Sequence, residues 1–339
     1  MRIVNHSVSF LNRRKAVAAL SGGVLAAGAS LWGQKAKPEP EPIDDLPTIK
    51  VDVDLVNVMF SVRNKSNALI STLTKDDLSV YEDGKQQTIK YFSRETNLPL
   101  TIGLLVDVSG SQETLIPQEK NAAGQFFDQV LRPKDMAFLI SFGADAELLQ
   151  DSTNSTRLLK RGLEGLRLST SHGGLHPGPV PTSSRPKGTI LYDAVYLAAN
   201  EKLKNEVGRK AIVLITDGMD YGSSYKLRDA IEMAHKADCM IYSIYYVDPR
   251  AYYGRGFGGA SDGDLKKMSE ETGGRLFHVG RSNSLEDIFK QIQEEMRSQY
   301  ALGFSSTNES RDGSFRKLEI RPTDKALKVQ ARKGYYSLK

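Results

Sequence analysis

Apolar residues recur along residues 99–300 in two alternating patterns, which predict strands and helices in turn. Continuous apolar runs, typical of strands buried on both faces, end at Asp107 and Asp217. Elsewhere in this region apolar residues recur every three or four positions, which predicts amphipathic helices. The predicted helices cover residues 118–131, 155–168, 191–207, 225–237 and 285–299. This alternation indicates an α/β fold with a doubly wound, mostly parallel sheet.

A different pattern flanks this region on both sides. Residues 48–98 and 301–339 show short alternations of apolar and polar residues, and Asp83-Gly84 lies between two such runs, as a hairpin turn would. Neither segment is long enough to bury a good core alone. We therefore expect the two segments to pair into one small β-sandwich-like domain with the α/β domain inserted between them. Two independent β appendages are the alternative.

The N-terminus has the pattern of an export signal. Residues 1–33 combine four basic residues and no acidic residue with a long uncharged, largely apolar run. The pair Arg13-Arg14 resembles a twin-arginine signal, and an ordinary basic segment explains it equally well. We expect an exported protein, periplasmic or secreted, which is membrane-associated only if this segment stays uncleaved as an anchor. Residues 34–47, which are rich in Pro and Glu, are predicted to be a linker.

Composition and charge narrow the classes of function. The chain has 339 residues, of which 40% are hydrophobic and 26% charged, as in ordinary globular proteins. The formal net charge is +5, and four of these charges lie in residues 1–33, which leaves +1 for the rest. A nearly neutral chain gives no support to nucleic-acid binding. The single cysteine, Cys239, excludes an internal disulfide framework and precedes a strand pattern typical of buried residues.

Polar side chains gather where the first apolar run ends. Asp107, Ser109 and Ser111 lie at alternate positions, so they project the same way in an extended segment, and a turn at the intervening glycine would gather their oxygen atoms. Oxygen clusters suit hard cations such as Mg²⁺. Thr189, before a predicted helix, and Asp217, at the end of the second apolar run, are placed to complete such a site. Helix caps and a simple turn are the alternative roles for these residues.

Together these stretches resemble the metal-ion-dependent adhesion site of von Willebrand factor type A domains, as in integrin I domains, and the flanking β segments resemble those of bacterial VWFA-related proteins. The resemblance covers roughly residues 99–300. It implies a Rossmann-like domain that binds Mg²⁺, or Mn²⁺ or Ca²⁺ in its place. Ser109 and Ser111 would ligate the cation through their hydroxyls, and Thr189 would join or leave the ligand set with conformation. Asp107 and Asp217 would act through bound water or hydrogen bonds.

The chemistry of that ligand set predicts a partner. Neutral hydroxyl ligands leave the charge of the cation incompletely offset, so the ion attracts an acidic residue of another protein. The serine loop is not a Gly-x-Ser-x-Gly elbow, because Asp107 occupies the first glycine position before Ser109, and the sequence has no Gly-x-x-x-x-Gly-Lys phosphate loop and no His-Glu-x-x-His. We therefore predict a protein-binding adhesion or scaffold module with no catalytic residues, no small-molecule substrate and no nucleic-acid partner. Residues 169–187 and 250–261 are the predicted partner-contact loops.

Two alternative functions use the same residues. Asp107 and Asp217 could hold Mg²⁺ for a hydrolase or a phosphoryl-transfer enzyme, although that reaction also needs an attacking group and a base. A purely structural role is the second alternative, in which the metal stabilises the folded state by binding to it.

Overall fold

The computed structural model describes residues 55–95, 97–169, 188–252 and 261–337, so the predicted signal and linker and most of the two predicted contact loops lie outside the described residues. The strands are β1 (Leu55–Arg63), β2 (Leu78–Glu82), β3 (Lys85–Gln87), β4 (Ile89–Glu95), β5 (Leu100–Asp107), β6 (Met136–Phe142), β7 (Ala146–Thr153), β8 (Arg209–Thr216), β9 (Cys239–Tyr245), β10 (Leu276–His278), β11 (Gln299–Ser305), β12 (Phe315–Pro322), β13 (Lys328–Ala331) and β14 (Gly334–Tyr336). The helices are α1 (Ile116–Val130), α2 (Thr156–Glu164), α3 (Leu191–Leu197), α4 (Leu227–Lys236), α5 (Gly263–Thr272) and α6 (Leu285–Arg297).

A six-stranded sheet lies at the centre of the α/β part, in the order β10-β9-β8-β5-β6-β7. Its neighbouring strands are parallel except for β6 and β7. Every residue of β5 is buried, because helices cover both faces of the sheet. Helices α1, α2 and α6 pack in one apolar cluster, and α3, α4 and α5 pack in the other. The predicted doubly wound, mostly parallel sheet is confirmed.

Strands from both ends of the chain form two further sheets. Their orders are β13-β1-β11-β4 and β14-β12-β2-β3, so each sheet mixes strands that precede and follow the α/β part. The two sheets share an apolar core that contains Phe60 of β1, Val80 of β2, Leu302 of β11 and Leu318 of β12. This long-range pairing supplies the core that neither segment could bury alone. The small β-sandwich of the predicted fold class is therefore present, while the exact domain boundaries stay predictions.

The hairpin predicted at Asp83-Gly84 joins β2 and β3. Glu82 of β2 pairs with Lys85 of β3 across the two-residue turn. Asp83 and Gly84 have φ angles of 47° and 81°, which are the left-handed values that such a turn requires. The Asp-Gly sequence is therefore a sufficient local reason for the chain to reverse here.

Several elements differ from the sequence expectations. The helix expected over residues 191–207 is α-helical only over α3 and continues as a π-helical segment, Ala198–Leu203. Helix α5 and strands β7, β10 and β14 were not predicted. Strands β10 and β14 have only three residues each, which is too short for a recognisable sequence pattern. Strand β7 is a partly exposed edge strand, so it lacks the continuous apolar run of a buried strand. Within the described ranges, none of the helices is long and apolar enough to cross a membrane.

Candidate metal centre

Two parallel strands bring the predicted site residues to one edge of the central sheet. Asp107 is the last residue of β5, and Asp217 directly follows the last residue of β8. Strands β5 and β8 are parallel neighbours, with Val106 opposite Ile215, so their carboxyl ends lie side by side. This is the edge at which open α/β sheets place their sites.

Hydrogen bonds join four of the five predicted residues into one cluster. The backbone N–H of Ser109 donates to Oδ1 of Asp107 over 2.9 Å. The hydroxyl oxygens of Ser109 and Ser111 lie 3.1 Å apart, and the Ser111 hydroxyl donates to Oδ2 of Asp217. Ser109 and Ser111 are partly exposed, whereas both carboxylates are fully buried. The hydroxyls therefore form the accessible surface of the cluster, with the acids behind them.

Thr189 lies at the same edge of the sheet, one residue before a backbone contact with the loop after β6. The next residue, Ile190, donates its N–H to the carbonyl of Gly143 over 2.9 Å. Gly143 borders the first loop so closely that a Cβ added to it would lie 3.6 Å from the N atom of Ser109. Thr189 itself is buried, and its carbonyl accepts the N–H of Tyr221. The structure therefore places Thr189 beside the cluster, but not in hydrogen-bond contact with the four other residues.

Thr216 is a residue of the cluster that the sequence analysis missed. Its hydroxyl donates to Oδ2 of Asp107 over 2.6 Å and accepts the N–H of Gly218 over 3.1 Å. Both oxygens of Asp107 are therefore engaged, one by Ser109 and one by Thr216, which fixes the orientation of the carboxylate. The available signal was the position of Thr216 immediately before Asp217-Gly218, at the end of a buried strand.

Burial and charge perturb the acid at the centre of the cluster. Removal from water, followed by repulsion from Asp217, raises the pKa of Asp107 from 3.8 to about 7. Hydrogen bonds from Ser109 and Thr216 oppose this rise only in part. A divalent cation next to the two carboxylates would favour the charged form of Asp107 and offset its repulsion from Asp217.

The donor set suits a hard cation better than a soft one. Hydroxyl and carboxylate oxygens are the ligands that Mg²⁺, Mn²⁺ and Ca²⁺ prefer. In the part of the chain that the structure describes, no group of three or more His, Cys, Asp and Glu side chains is arranged to hold a metal. The oxygen atoms of the cluster are therefore of the kind that the predicted site requires, with the hydroxyls of Ser109 and Ser111 partly exposed and the carboxylates of Asp107 and Asp217 buried.

Asp193, four residues after Thr189, holds the loop after β8. Its two carboxylate oxygens accept the backbone N–H groups of Ser224 and Tyr225 over 3.0 and 2.8 Å. This contact ties α3 to the loop that begins at Asp217. Asp193 therefore positions a neighbouring loop and is not hydrogen-bonded to the cluster.

The strand order defines the fold. The described residues between 100 and 297 form a doubly wound α/β architecture like that of von Willebrand factor type A domains, as the sequence resemblance predicted. No protein-family model and no curated protein matches the sequence.

Solved structures with a related fold come from several bacteria. BatB from Bacteroides thetaiotaomicron, a conserved hypothetical protein, is 18% identical over 58% of this chain and 97% of its own, with a TM-score of 0.43. An aerotolerance-related membrane protein from Bacteroides fragilis is 17% identical over 58% and 98% of the two chains, with a TM-score of 0.41. The vWF domain of the type V pili tip protein Mfa5 from Porphyromonas gingivalis is 12% identical over 60% and 96%, with a TM-score of 0.44. At such low similarity, the fold assignment rests on the strand order and the site.

Proposed function

We propose that this chain is an exported bacterial protein that binds a protein partner through a divalent cation, in an adhesion or scaffold role. The observation that carries the proposal is the cluster of Asp107, Ser109, Ser111 and Asp217 at the carboxyl edge of the sheet. The cation would be Mg²⁺, or Mn²⁺ or Ca²⁺ in its place. Thr189 would complete the ligand set from the start of α3.

The placement of charge explains why a partner would be acidic. The two hydroxyls at the surface are neutral, and both oxygens of Asp107 are occupied by hydrogen bonds within the cluster. A cation held at the hydroxyls therefore keeps much of its charge on the side that faces solvent. A Glu or Asp side chain of a partner is the group that best offsets this charge, because carboxylate oxygens are strong ligands of hard cations.

Calorimetric titration with Mg²⁺ and Mn²⁺ tests the site. We expect saturable binding to the wild-type protein and a loss of about tenfold or more in affinity for Ser111→Ala, since a ligand hydroxyl is removed. Asp107→Ala should lose binding as well. Ser224→Ala is the matched control, because Ser224 is exposed on the loop after β8 and lies outside the cluster. Equal affinity of the wild-type and Ser111→Ala proteins would refute the proposed ligand set.

A second measurement separates partner binding from a structural role of the metal. Proteins captured from a bacterial envelope extract on the immobilised chain with Mg²⁺ should be released by a chelator, and Asp107→Ala should capture none of them. The mature wild-type chain should also bind acetate more tightly in the presence of the cation. If Mg²⁺ raises the melting temperature while capture and acetate binding are independent of it, the metal stabilises the fold and does not mediate contact.

A further inference from the structure

A small cavity lies where the amino ends of three central strands meet the sandwich. Its lining includes Leu100, Arg209 and Cys239, which are the first residues of β5, β8 and β9. The sandwich contributes Met59 of β1 and Arg332, which lies between β13 and β14. The cavity has a volume of about 20 Å³, which is room for one particle of the size of a water molecule or slightly larger. It lies at the opposite edge of the sheet from the candidate metal centre, so it is a separate feature of the molecule.

Three side chains that border this cavity carry nitrogen atoms without a hydrogen-bond partner among the described residues. These atoms are Nε of Arg209, Nε of Arg332 and both ring nitrogens of His235. Arg209 and His235 are only 3% and 5% exposed. Each arginine Nε carries an N–H, and a neutral imidazole ring presents one more. The residues around the cavity therefore hold at least three buried N–H donors that lack an acceptor, although buried polar groups are nearly always paired.

Positive charge is in excess around the cavity. Arg209, Lys210 and Arg332 line it, and Asp238 is the one acid in its lining. Asp238 is already paired with Arg332, whose Nη1 lies 2.8 Å from its carboxylate. Within the described part of the chain, Arg209 and Lys210 donate only to backbone carbonyls. Arg209 is thus a buried cation without a carboxylate partner, which is costly unless another negative group lies close by.

His235 of α4 connects the cavity with the outer strands of the sandwich. Its ring packs edge-on against Phe315 of β12 and Tyr336 of β14, with ring centroids 5.5 and 6.4 Å apart. Burial, followed by the positive charge of Arg332, lowers the pKa of His235 to about 4, and Asp238 opposes this effect. The ring is therefore neutral near pH 7, and it has an N–H to donate.

We propose that this cavity binds a single halide ion, such as chloride, which holds the sandwich against the α/β domain. Arg209 and His235 would donate to the ion from the α/β side, and Arg332 would donate from the sandwich side. A halide accepts several N–H groups and offsets the charge of Arg209. A water molecule carries no charge and needs acceptors for its own two hydrogens. Sulfate and phosphate are too large for a cavity of this volume.

Thermal unfolding in chloride tests this proposal. Sodium gluconate would be replaced stepwise by sodium chloride near pH 7.5, at constant ionic strength and with a chelator present, so that the candidate metal centre plays no part. Gluconate is too large for the cavity. We expect a saturable rise in the melting temperature of the wild-type protein, of about 2–4 °C when chloride reaches roughly five times its Kd. Bromide should produce the same rise, whereas sulfate should not.

Two variants with matched controls assign the effect to the cavity. His235→Leu keeps an apolar side chain of similar size and removes an N–H donor, so it should weaken chloride binding by about tenfold. His278→Leu is its control, because His278 is exposed on β10 and outside the cavity lining. Arg209→Met should abolish the chloride dependence, whereas Arg228→Met, an exposed position on α4, should retain it. The readout is the response to chloride, so a lower melting temperature of a variant does not affect the comparison.

Diffraction from crystals grown in sodium bromide locates the ion. An anomalous bromide peak between Arg209, His235 and Arg332 is the expected result, and bromide peaks at the protein surface alone would overturn the proposal. An equal response of the wild-type, His235→Leu and Arg209→Met proteins to chloride would overturn it as well, since the effect would then be one of bulk salt. Because the chelator removes divalent cations, neither result depends on the proposed function, and failure of the cation site would leave this proposal standing.

Discussion

At the scale of single residues, the hydroxyls and the carboxylates of the cluster differ in their hydrogen bonds and in their exposure to solvent. Asp107 accepts a backbone N–H from Ser109 and a hydroxyl from Thr216, so its two oxygens are oriented inward. Ser109 and Ser111 are partly exposed and present the oxygens that an incoming cation meets first. In the proposed cation site, the acids would therefore set the local electrostatic field, whereas the serines would contact the ion.

The raised pKa of Asp107 predicts a pH dependence of metal-induced stabilisation. The folded metal-free protein holds this proton more tightly than the unfolded chain, in which the pKa is near 3.8. Its contribution to stability is complete below about pH 4 and is lost as pH rises to about 7, a change on the order of a few kcal/mol. Mg²⁺ should therefore raise the melting temperature more at pH 8 than at pH 5.5. Asp107→Asn should show no such difference, and equal shifts at both pH values in the wild type would contradict this account.

Gly218 is a second residue at which the site depends on local geometry. Its φ is 80°, and a Cβ at this position would lie 2.3 Å from the carbonyl oxygen of Ser261. Gly218→Ala should therefore displace the Asp217 turn, lower the free energy of unfolding by about 1–3 kcal/mol and weaken Mg²⁺ binding. Gly110→Ala, on the serine loop, is the control, because a Cβ there meets nothing within 4 Å. Denaturant titration measures the free energy of unfolding of both variants, and calorimetry measures their affinity for Mg²⁺. Equal stabilities of Gly218→Ala and Gly110→Ala would contradict the prediction.

At the scale of elements, α6 joins the two parts of the fold. Glu295 of α6 is fully buried and accepts four hydrogen bonds from three other parts of the chain. Arg63 of β1 approaches one carboxylate oxygen to 2.6 Å, and Arg275, just before β10, approaches the same oxygen to 3.2 Å. Helix α6 then passes into β11, a central strand of a sandwich sheet, after a single residue. The helix is thus fixed at its C-terminal end to both the α/β part and the sandwich.

Removal of this carboxylate should be strongly destabilising. Glu295→Ala leaves Arg63 and Arg275 without their shared counter-charge, and the loss of one partner from a buried ion pair typically costs about 3–5 kcal/mol. Glu294→Ala removes an exposed glutamate from the adjacent position of the same helix and should change stability by less than about 0.5 kcal/mol. Urea unfolding of the two variants gives the comparison, and similar midpoints would show that the network contributes little.

At the scale of the whole molecule, the sandwich and the α/β domain share buried surface. Met59 of β1 and Ala301 of β11 belong to the same apolar cluster as residues of α1 and α6. Arg209, at the start of β8, donates to the carbonyl of Met296 in α6 and to that of Leu98 before β5. Residues 52–339 accordingly form one compact unit.

Unfolding should therefore be cooperative across both parts. We expect a single calorimetric transition for the mature chain, with a calorimetric enthalpy close to the van't Hoff enthalpy, because the shared core and the Glu295 network link the two parts. The Glu295→Ala variant is the informative comparison, since it removes part of that link. Two resolved transitions in the wild-type protein would show that the sandwich and the α/β domain unfold independently.

The sequence by itself determined the α/β class and the main strands and helices. The fold prediction succeeded because a strand buried on both faces requires a continuous apolar run, and polar residues that end such runs at parallel strands must meet at one edge. Asp107 and Asp217 could be placed side by side on that argument alone. The turn at Asp83-Gly84 is equally local, since it depends on backbone angles of two residues.

Only the tertiary structure decided which groups touch and how deeply they are buried. Thr216 appears in the sequence as an ordinary strand residue, and its role arises from a hydrogen bond to Asp107, which lies 109 positions away in the chain. The pairing of β2 with β12 joins segments on either side of the α/β domain. The periodicity of apolar residues reflects the preferences of residues that are close in sequence. Burial, pKa values and strand partners depend on atoms that folding brings together from distant parts of the chain, so the sequence alone did not determine them.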